Sequence, residues 1–317
     1  MYPFYEESVI IWLMNRFVKI RLLKSRGRIM KKLLTWLFLL SAPLFFAHPV
    51  NADADTTANS EVFASIYRQG VSKGILTESN SSEAEFVNYC STEAFPMYLK
   101  YVEVDPETSF EQYVADENYF VSCNPNNDHP DTISADNSQS KGKGYSIFSS
   151  FIAAKSGYSM KAGDILVCHG TDSAGIFAGH AAFATSANYI LEMPGPNRTV
   201  EHPSKESFFK KHTGKGKYVD VYHIKKHPHY ADAASTYAYR HLYKNPKDRP
   251  KYGFQSGLYS MKDSYCSKYV YYAYYKVLPK GALKTYNNRH IVHPFTFVGN
   301  FQGDFKASYL HQITSWK

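Results

Sequence analysis

Between residues 163 and 193 the sequence runs through GDILVC (163–168), HAAFAT (180–185) and YILEM (189–193). Each run is apolar and of strand length, too short for an independent helix. Only Ser186, Ala187 and Asn188 separate the last two, which predicts a hairpin. Working outward, KYVDVYHI (217–224) alternates and reads as a fourth strand, and VHPFTFVG (292–299) as a fifth strand or extended segment. Residues 230–245 read as a helix, and SYCSKYVYYAYYKVL (264–278) as a long apolar-aromatic one. Helices flanking a mostly antiparallel sheet make an α+β domain, taken here to span 145–317.

Upstream, residues 53–123 read as mainly helical. Val62, Phe63, Ile66 and Tyr67 recur at helical spacing after a candidate cap at Asn59 or Ser60. A second pattern follows Ser81 and Ser82, with Phe86, Val87, Cys90 and Phe95 on one side, and Pro96 should end or kink it. A third, weaker pattern starts near Thr108. Residues 124–144 (NPNNDHPDTISADNSQSKGKG) have no apolar period and read as a polar linker.

The first 52 residues carry a leader pattern. Met30-Lys31-Lys32 precedes the 15-residue apolar run LLTWLFLLSAPLFFA (33–47), then small residues before Asp53 or Asp55. A positive start, a short apolar middle and a small-residue cleavage site describe a secretory signal peptide over 30–52, so the chain is expected to be secreted. Residues 1–29 read as an over-extended start. The run is short of the about 20 apolar residues of a membrane span, so no stable span is expected after cleavage, although an uncleaved anchor is the alternative.

A hydrophobic fraction of 44% with 20% charged residues excludes a disordered chain, and four cysteines exclude a disulfide scaffold. The net charge of +8 divides into +6 over residues 1–52, −10 over 53–160 and +12 over 161–317. That division argues against a nucleic-acid partner. It suggests an acidic segment able to dock on a basic domain, and a basic surface for an anionic wall polymer or an acidic partner.

The chemistry is concentrated in Gly163-Asp164, Gly179-His180, Glu192 and Tyr265-Cys266-Ser267. Cys266 opens a predicted helix just after Asp263 and Ser264, either of which can cap it. A helix N-terminus favours thiolate over thiol. A thiolate, an imidazole that exchanges its proton and a carboxylate that orients the imidazole form an activated nucleophile. If Thr185 pairs with Tyr189, Ala182 opposes Glu192 and His180 is its diagonal neighbour on the same face. A pairing of Phe183 with Tyr189 puts His180 directly opposite. A one-residue slip from either register would separate the two.

With GDILVC, GHAAF, LEM and YCSKYVYYAY in this order, the sequence resembles the permuted NlpC/P60 (YiiX/YebB-like) papain-like cysteine hydrolases over roughly 160–300. The resemblance implies a permuted papain-like fold, an antiparallel sheet or small barrel with packed helices. It implies Cys266 as nucleophile, His180 as base, Glu192 as the third polar residue, and hydrolysis of an amide bond, often in cell-wall peptide. Tyr265 is a candidate substrate-binding residue. No cofactor or metal is required. Residues 53–144 have no counterpart in that family, and Cys168 adds a thiol near the expected site.

Competing readings exist. Cys90 precedes GDILVC, as the unpermuted order demands, but its flanks fit poorly; Cys90 and Cys123 could instead form a disulfide. His223, His227 and His229 could hold a metal, yet no carboxylate or cysteine completes a set nearby. The rival function is a catalytically silent wall- or host-surface-binding protein using the same domain as a scaffold.

Overall fold

The structure, a computed structural model, describes residues 52–134, 157–173 and 177–317. The expected extended start (1–29), the leader (30–52, save its last residue) and the latter half of the expected linker lie outside the described residues.

Among the described residues four helices come first. α1 (Ala52–Ser72) begins before the expected caps, so Asn59 and Ser60 lie inside it. A capping residue marks a start only where the preceding chain resists a helix, and here alanines precede it. α2 (Glu83–Tyr89) opens on a capping box between Ser82 and Glu85. It continues through a π-turn at Cys90–Ala94 into α3 (Phe95–Tyr101), with Pro96 in the first turn of α3. The widened turn accommodates the missing proline N–H, so Pro96 interrupts the helical ladder without ending the helical run. α4 (Phe110–Asp116) is capped by Ser109.

Among the described residues the sheet has six strands: β1 (Asp131–Ile133), β2 (Ile165–Ser173), β3 (Phe177–Ala184), β4 (Ile190–Glu192), β5 (Tyr218–His223) and β8 (Ser308–Ile313). Their spatial order is β1-β8-β5-β2-β3-β4. All neighbours are antiparallel except β1, which pairs parallel with β8. The sheet is open, with β1 and β4 as its edges, rather than closed into a small barrel. β1 lies in the stretch read as linker.

Helices α5 (Lys205–His212), α6 (Pro228–Tyr237) and α7 (Cys266–Val277) complete the fold, with a two-residue pairing of β6 (Lys251–Tyr252) and β7 (Asp263–Ser264). VHPFTFVG is not a strand. Its end is a 3-10 turn at Phe297–Asn300, and the last strand is β8 instead. Pro294 cannot donate to a ladder, and the apolar side chains there fill the core as single anchors.

One face of the sheet carries Ile165, Val167, Ala181, Phe183 and Leu191, which share a core with Tyr269 and Tyr274 of α7. The other carries Leu166, Cys168, Ala182, Ala184 and Ile190, against Phe208 and Phe209 of α5. Residues 55–317 form one compact unit. The acidic helical segment is built into it: Phe86, Tyr101 and Tyr113 belong to the α7-side core. Tyr101 Oη lies 3.1 Å from His293 Nε2, and Glu117 Oε1 accepts from the Ala178 N–H at 3.2 Å. Among the described residues no helix is long and apolar enough to cross a membrane.

Candidate active site

The Gly-Asp pair that opens β2 shapes the backbone. Gly163 has φ +79°, and a Cβ there would stand 2.3 Å from the Ala231 backbone, so only glycine fits. Asp164 Oδ2 accepts from the Tyr158 hydroxyl at 2.6 Å and the Lys161 N–H at 2.7 Å, which fixes the turn into the strand. β2 then presents Cys168 directly opposite His180 of β3. Gly179 lets β3 pass under Phe295, whose ring would lie 2.2 Å from an added Cβ.

Ala182 faces Glu192 across the hairpin, and Thr185 N–H donates to Tyr189 O at 2.9 Å. This is the first of the two even registers. His180 is thereby a diagonal neighbour of Glu192, with Nε2 3.0 Å from Oε2.

Cys266 comes from the other layer, as the first residue of α7. The N-cap is Tyr265, with no side-chain cap. Asp263 and Ser264, expected as caps, are held in β7 instead. The Asp263 carboxylate accepts from the N–H groups of Gln255 (2.7 Å) and Ser256 (2.9 Å). No capping side chain therefore competes for the first-turn N–H groups of α7. The Cys266 thiol is hydrogen-bonded to the His180 ring.

Sequence reasoning missed α5, which brings two more groups. His212 Nε2 lies 3.4 Å from Glu192 Oε2, and Lys211 Nζ 3.2 Å from Oε1. Signals for this helix exist: Ser204 caps it, Glu206 sits in its first turn, and Lys210, Lys211 and His212 fill its last. The His180 and His212 rings are nearly parallel, 5.3 Å between centroids.

The cluster is closed to solvent: Cys266 is 0% exposed, His212 1%, and His180 and Glu192 2% each. Burial works to depress His180, but hydrogen bonds and charge from Cys266 and Glu192 outweigh it and raise its pKa to about 9. Burial likewise opposes charge on Glu192, yet His180 and His212 hold it well below the usual carboxylate range. For His212 burial wins and pushes the pKa down to about 4. Burial also pushes the Cys168 thiol well above its ordinary value, reinforced by the Glu192 charge.

His180, Glu192 and His212 offer ligand atoms within 4.8 Å of one another, close enough to hold a metal ion. Their mutual hydrogen bonds account for the grouping, and the Lys211 ammonium already occupies the carboxylate. The three histidines weighed from the sequence do not form that group. His223 Nδ1 lies 2.8 Å from Asp164 Oδ1, and His227 stacks on Phe305.

Tyr265 is mostly core. It stacks on Phe254 at 4.7 Å, and its hydroxyl accepts from the Val292 N–H at 2.9 Å. One edge lines a cleft of about 1080 Å³, together with Tyr101, Asp105, Asp116 and Lys268. Cys90 and Cys123 are free thiols. Burial alone pushes Cys90 up to about 12, with no imidazole or cation to activate it.

No solved structure matches this chain. It is 28% identical over 288 residues to an "Uncharacterized 30.3 kDa protein" of Bacillus thuringiensis, covering 88% of this chain and 98% of that protein. That similarity is too long to leave out the helical segment. Residues 134–312, more than half of the chain, match the family described as "Lipoprotein N-acylation protein LnsA-like". The site strands β2 to β4 and the Cys266 helix all fall inside that match, and the chain belongs to the lipoprotein N-acylation LnsA-like family.

Proposed function

We propose that this protein is a cysteine acyltransferase that moves a fatty acyl group onto the amine of a lipoprotein. The observation that carries the reading is the buried, hydrogen-bonded set Cys266, His180 and Glu192 in a chain of a lipoprotein N-acylation family. Cys266 thiolate attacks the carbonyl of an acyl ester, and the imidazolium of His180 gives its proton to the departing alkoxide. The acyl group is then a thioester on Cys266. A neutral amine attacks it, His180 takes the amine's proton, and the thiol is regenerated as the amide forms. Glu192 keeps the ring oriented and stabilises its charged form. First-turn N–H groups of α7 serve as oxyanion donors.

The resemblance to permuted papain-like hydrolases read from the sequence implies the same nucleophile, base and orienting carboxylate. What the family adds is the acceptor. Hydrolysis of a wall peptide needs water at the thioester, whereas acyl transfer needs water kept away. A site 0–2% exposed favours the second. The leader-like residues 30–52 fit a protein working outside the cytoplasmic membrane, where mature lipoproteins reside.

The test is direct. The purified protein is incubated with a fatty-acyl ester, with and without a synthetic lipopeptide bearing a free N-terminal amine. Intact mass should show one acyl group on Cys266, discharged by the amine as an N-acyl lipopeptide. Cys266→Ala should do neither. Discharge to free fatty acid at the same rate with or without amine would return the protein to the hydrolases. Absence of any thioester would end the enzyme reading.

A further inference from the structure

We propose that His212 is a positioning residue of this site, whose imidazole holds the Glu192 carboxylate in place against His180. This deepens the reading above and rests on it.

The geometry is specific. Glu192 Oε2 meets His180 Nε2 at 3.0 Å and His212 Nε2 at 3.4 Å, so one carboxylate oxygen bridges two imidazoles. On the far side of its ring, His212 Nδ1 lies 3.5 Å from the Thr171 hydroxyl. With that hydroxyl as donor to Nδ1, the Nε2 proton points at Glu192. His212 then acts as a neutral donor, able to orient the carboxylate without cancelling the charge that His180 needs. A carboxylate only 2% exposed requires such partners, since an unpaired one costs far more than a paired one. Lys211 reaches the same carboxylate, but its side chain is 51% exposed and its charge is shared with water. His212 itself is anchored by Phe208, whose ring lies 4.5 Å away, so it stands on a helix tied to the core.

The titratable groups that face this cluster are Cys168 from β2, His180 from β3, Glu192 from β4, Lys211 and His212 from α5, and Cys266 from α7. His212, depressed to about 4, stays neutral through the range in which the thiol and His180 exchange a proton. Without it the carboxylate is free to turn from His180, the imidazolium is less favoured, and Cys266 gives up its proton only at higher pH.

Alkylation of Cys266 by iodoacetamide, followed against pH by peptide mass spectrometry, reads this with no substrate. The midpoint of the pH curve is the readout, because access to the closed site changes the absolute rate alone. Full-length wild type is compared with His212→Leu, His212→Asn and His212→Gln, each checked by circular dichroism. Leucine has no donor, and the asparagine amide is too short to reach Glu192. Both should raise the midpoint by about one pH unit, a roughly tenfold loss of thiolate at lower pH. The glutamine amide can replace Nε2 and should restore the wild-type midpoint. Should His212→Leu not fold, the Asn and Gln pair carries the comparison. Wild-type midpoints in the Leu or Asn variants, with only a lower Tm, would overturn the inference and leave His212 a packing residue. A wild-type Cys266 no more reactive than Cys90 would overturn the site reading itself, and this inference with it.

Discussion

Glu192 stands opposite Ala182, and this register brings its carboxylate to 3.0 Å from His180, two residues along the neighbouring strand on the same face. A hairpin one residue out of step would have turned Glu192 toward α7 and left His180 facing α5. The carboxylate matters through that contact. Glu192→Gln, which keeps the shape and removes the charge, should therefore lower acyl transfer by about 10²–10⁴-fold with little change in fold. Single-turnover thioester formation, compared with the thermal midpoint of the variant, separates the two effects.

The two histidines of the site set opposite limbs of a stability profile. His180 has a folded pKa of about 9, above its unfolded value near 6.5. Its contribution is complete below about pH 6.5 and is lost as the pH rises through 9. His212 is depressed to about 4, so the unfolded chain takes up a proton that the folded one refuses. Stability therefore falls as the pH drops from about 6.5 toward 4. Urea unfolding from pH 4 to 10 should show both limbs, with Glu192→Gln flattening the alkaline one. An alkaline limb identical in that variant would mean that Glu192 does not support the charge on His180.

Gly179 is where backbone space decides the position of His180. A methyl group there meets the Phe295 ring at 2.2 Å and the Cys168 carbonyl oxygen at 2.8 Å. Phe295 cannot retreat freely, because its ring is stacked on His169 at 4.2 Å. Gly179→Ala should cost about 1–3 kcal/mol and reduce thioester formation by shifting β3 beneath the imidazole. A variant with wild-type stability and turnover would show that the strand absorbs the methyl group without moving His180.

The acidic helical segment is structural, and its removal should be damaging. Tyr101 and Tyr113 lie in the core shared with Phe177 and Tyr265. Ser122 donates to the buried Asp220 at 2.5 Å, and Glu117 accepts from the start of β3. A chain begun at residue 134 would bare those aromatic faces and leave Ala178 N–H without its carboxylate. It should be aggregated, or bind a hydrophobic dye and unfold without cooperativity. A soluble, cooperatively folding 134–317 fragment that still forms the thioester would refute this.

The sequence alone determined the parts whose signals are local. GDILVC, HAAFAT, YILEM and SYCSKYVYYAYYKVL became β2, β3, β4 and α7, because apolar runs of strand length and a helical aromatic stripe state their own periods. Those four segments already carry Cys266, His180 and Glu192, and the hairpin's short turn limited the register to a few choices. Tertiary structure decided what depends on distant partners. Only the end signals of α5 stand in the sequence, because its adjacent Phe208 and Phe209 show no helical period, and that it brings Lys211 and His212 onto Glu192 rests on the fold. β1 lay hidden in a polar stretch, since an edge strand of three residues needs only a backbone ladder with β8, and ladder bonds leave no trace in side-chain pattern. The start of α7 passed from Asp263 and Ser264 to an uncapped Tyr265 because the Gln255 and Ser256 backbone claimed the Asp263 carboxylate first. Each of these outcomes is a competition between groups far apart in the chain, and only the folded arrangement brings the competitors together.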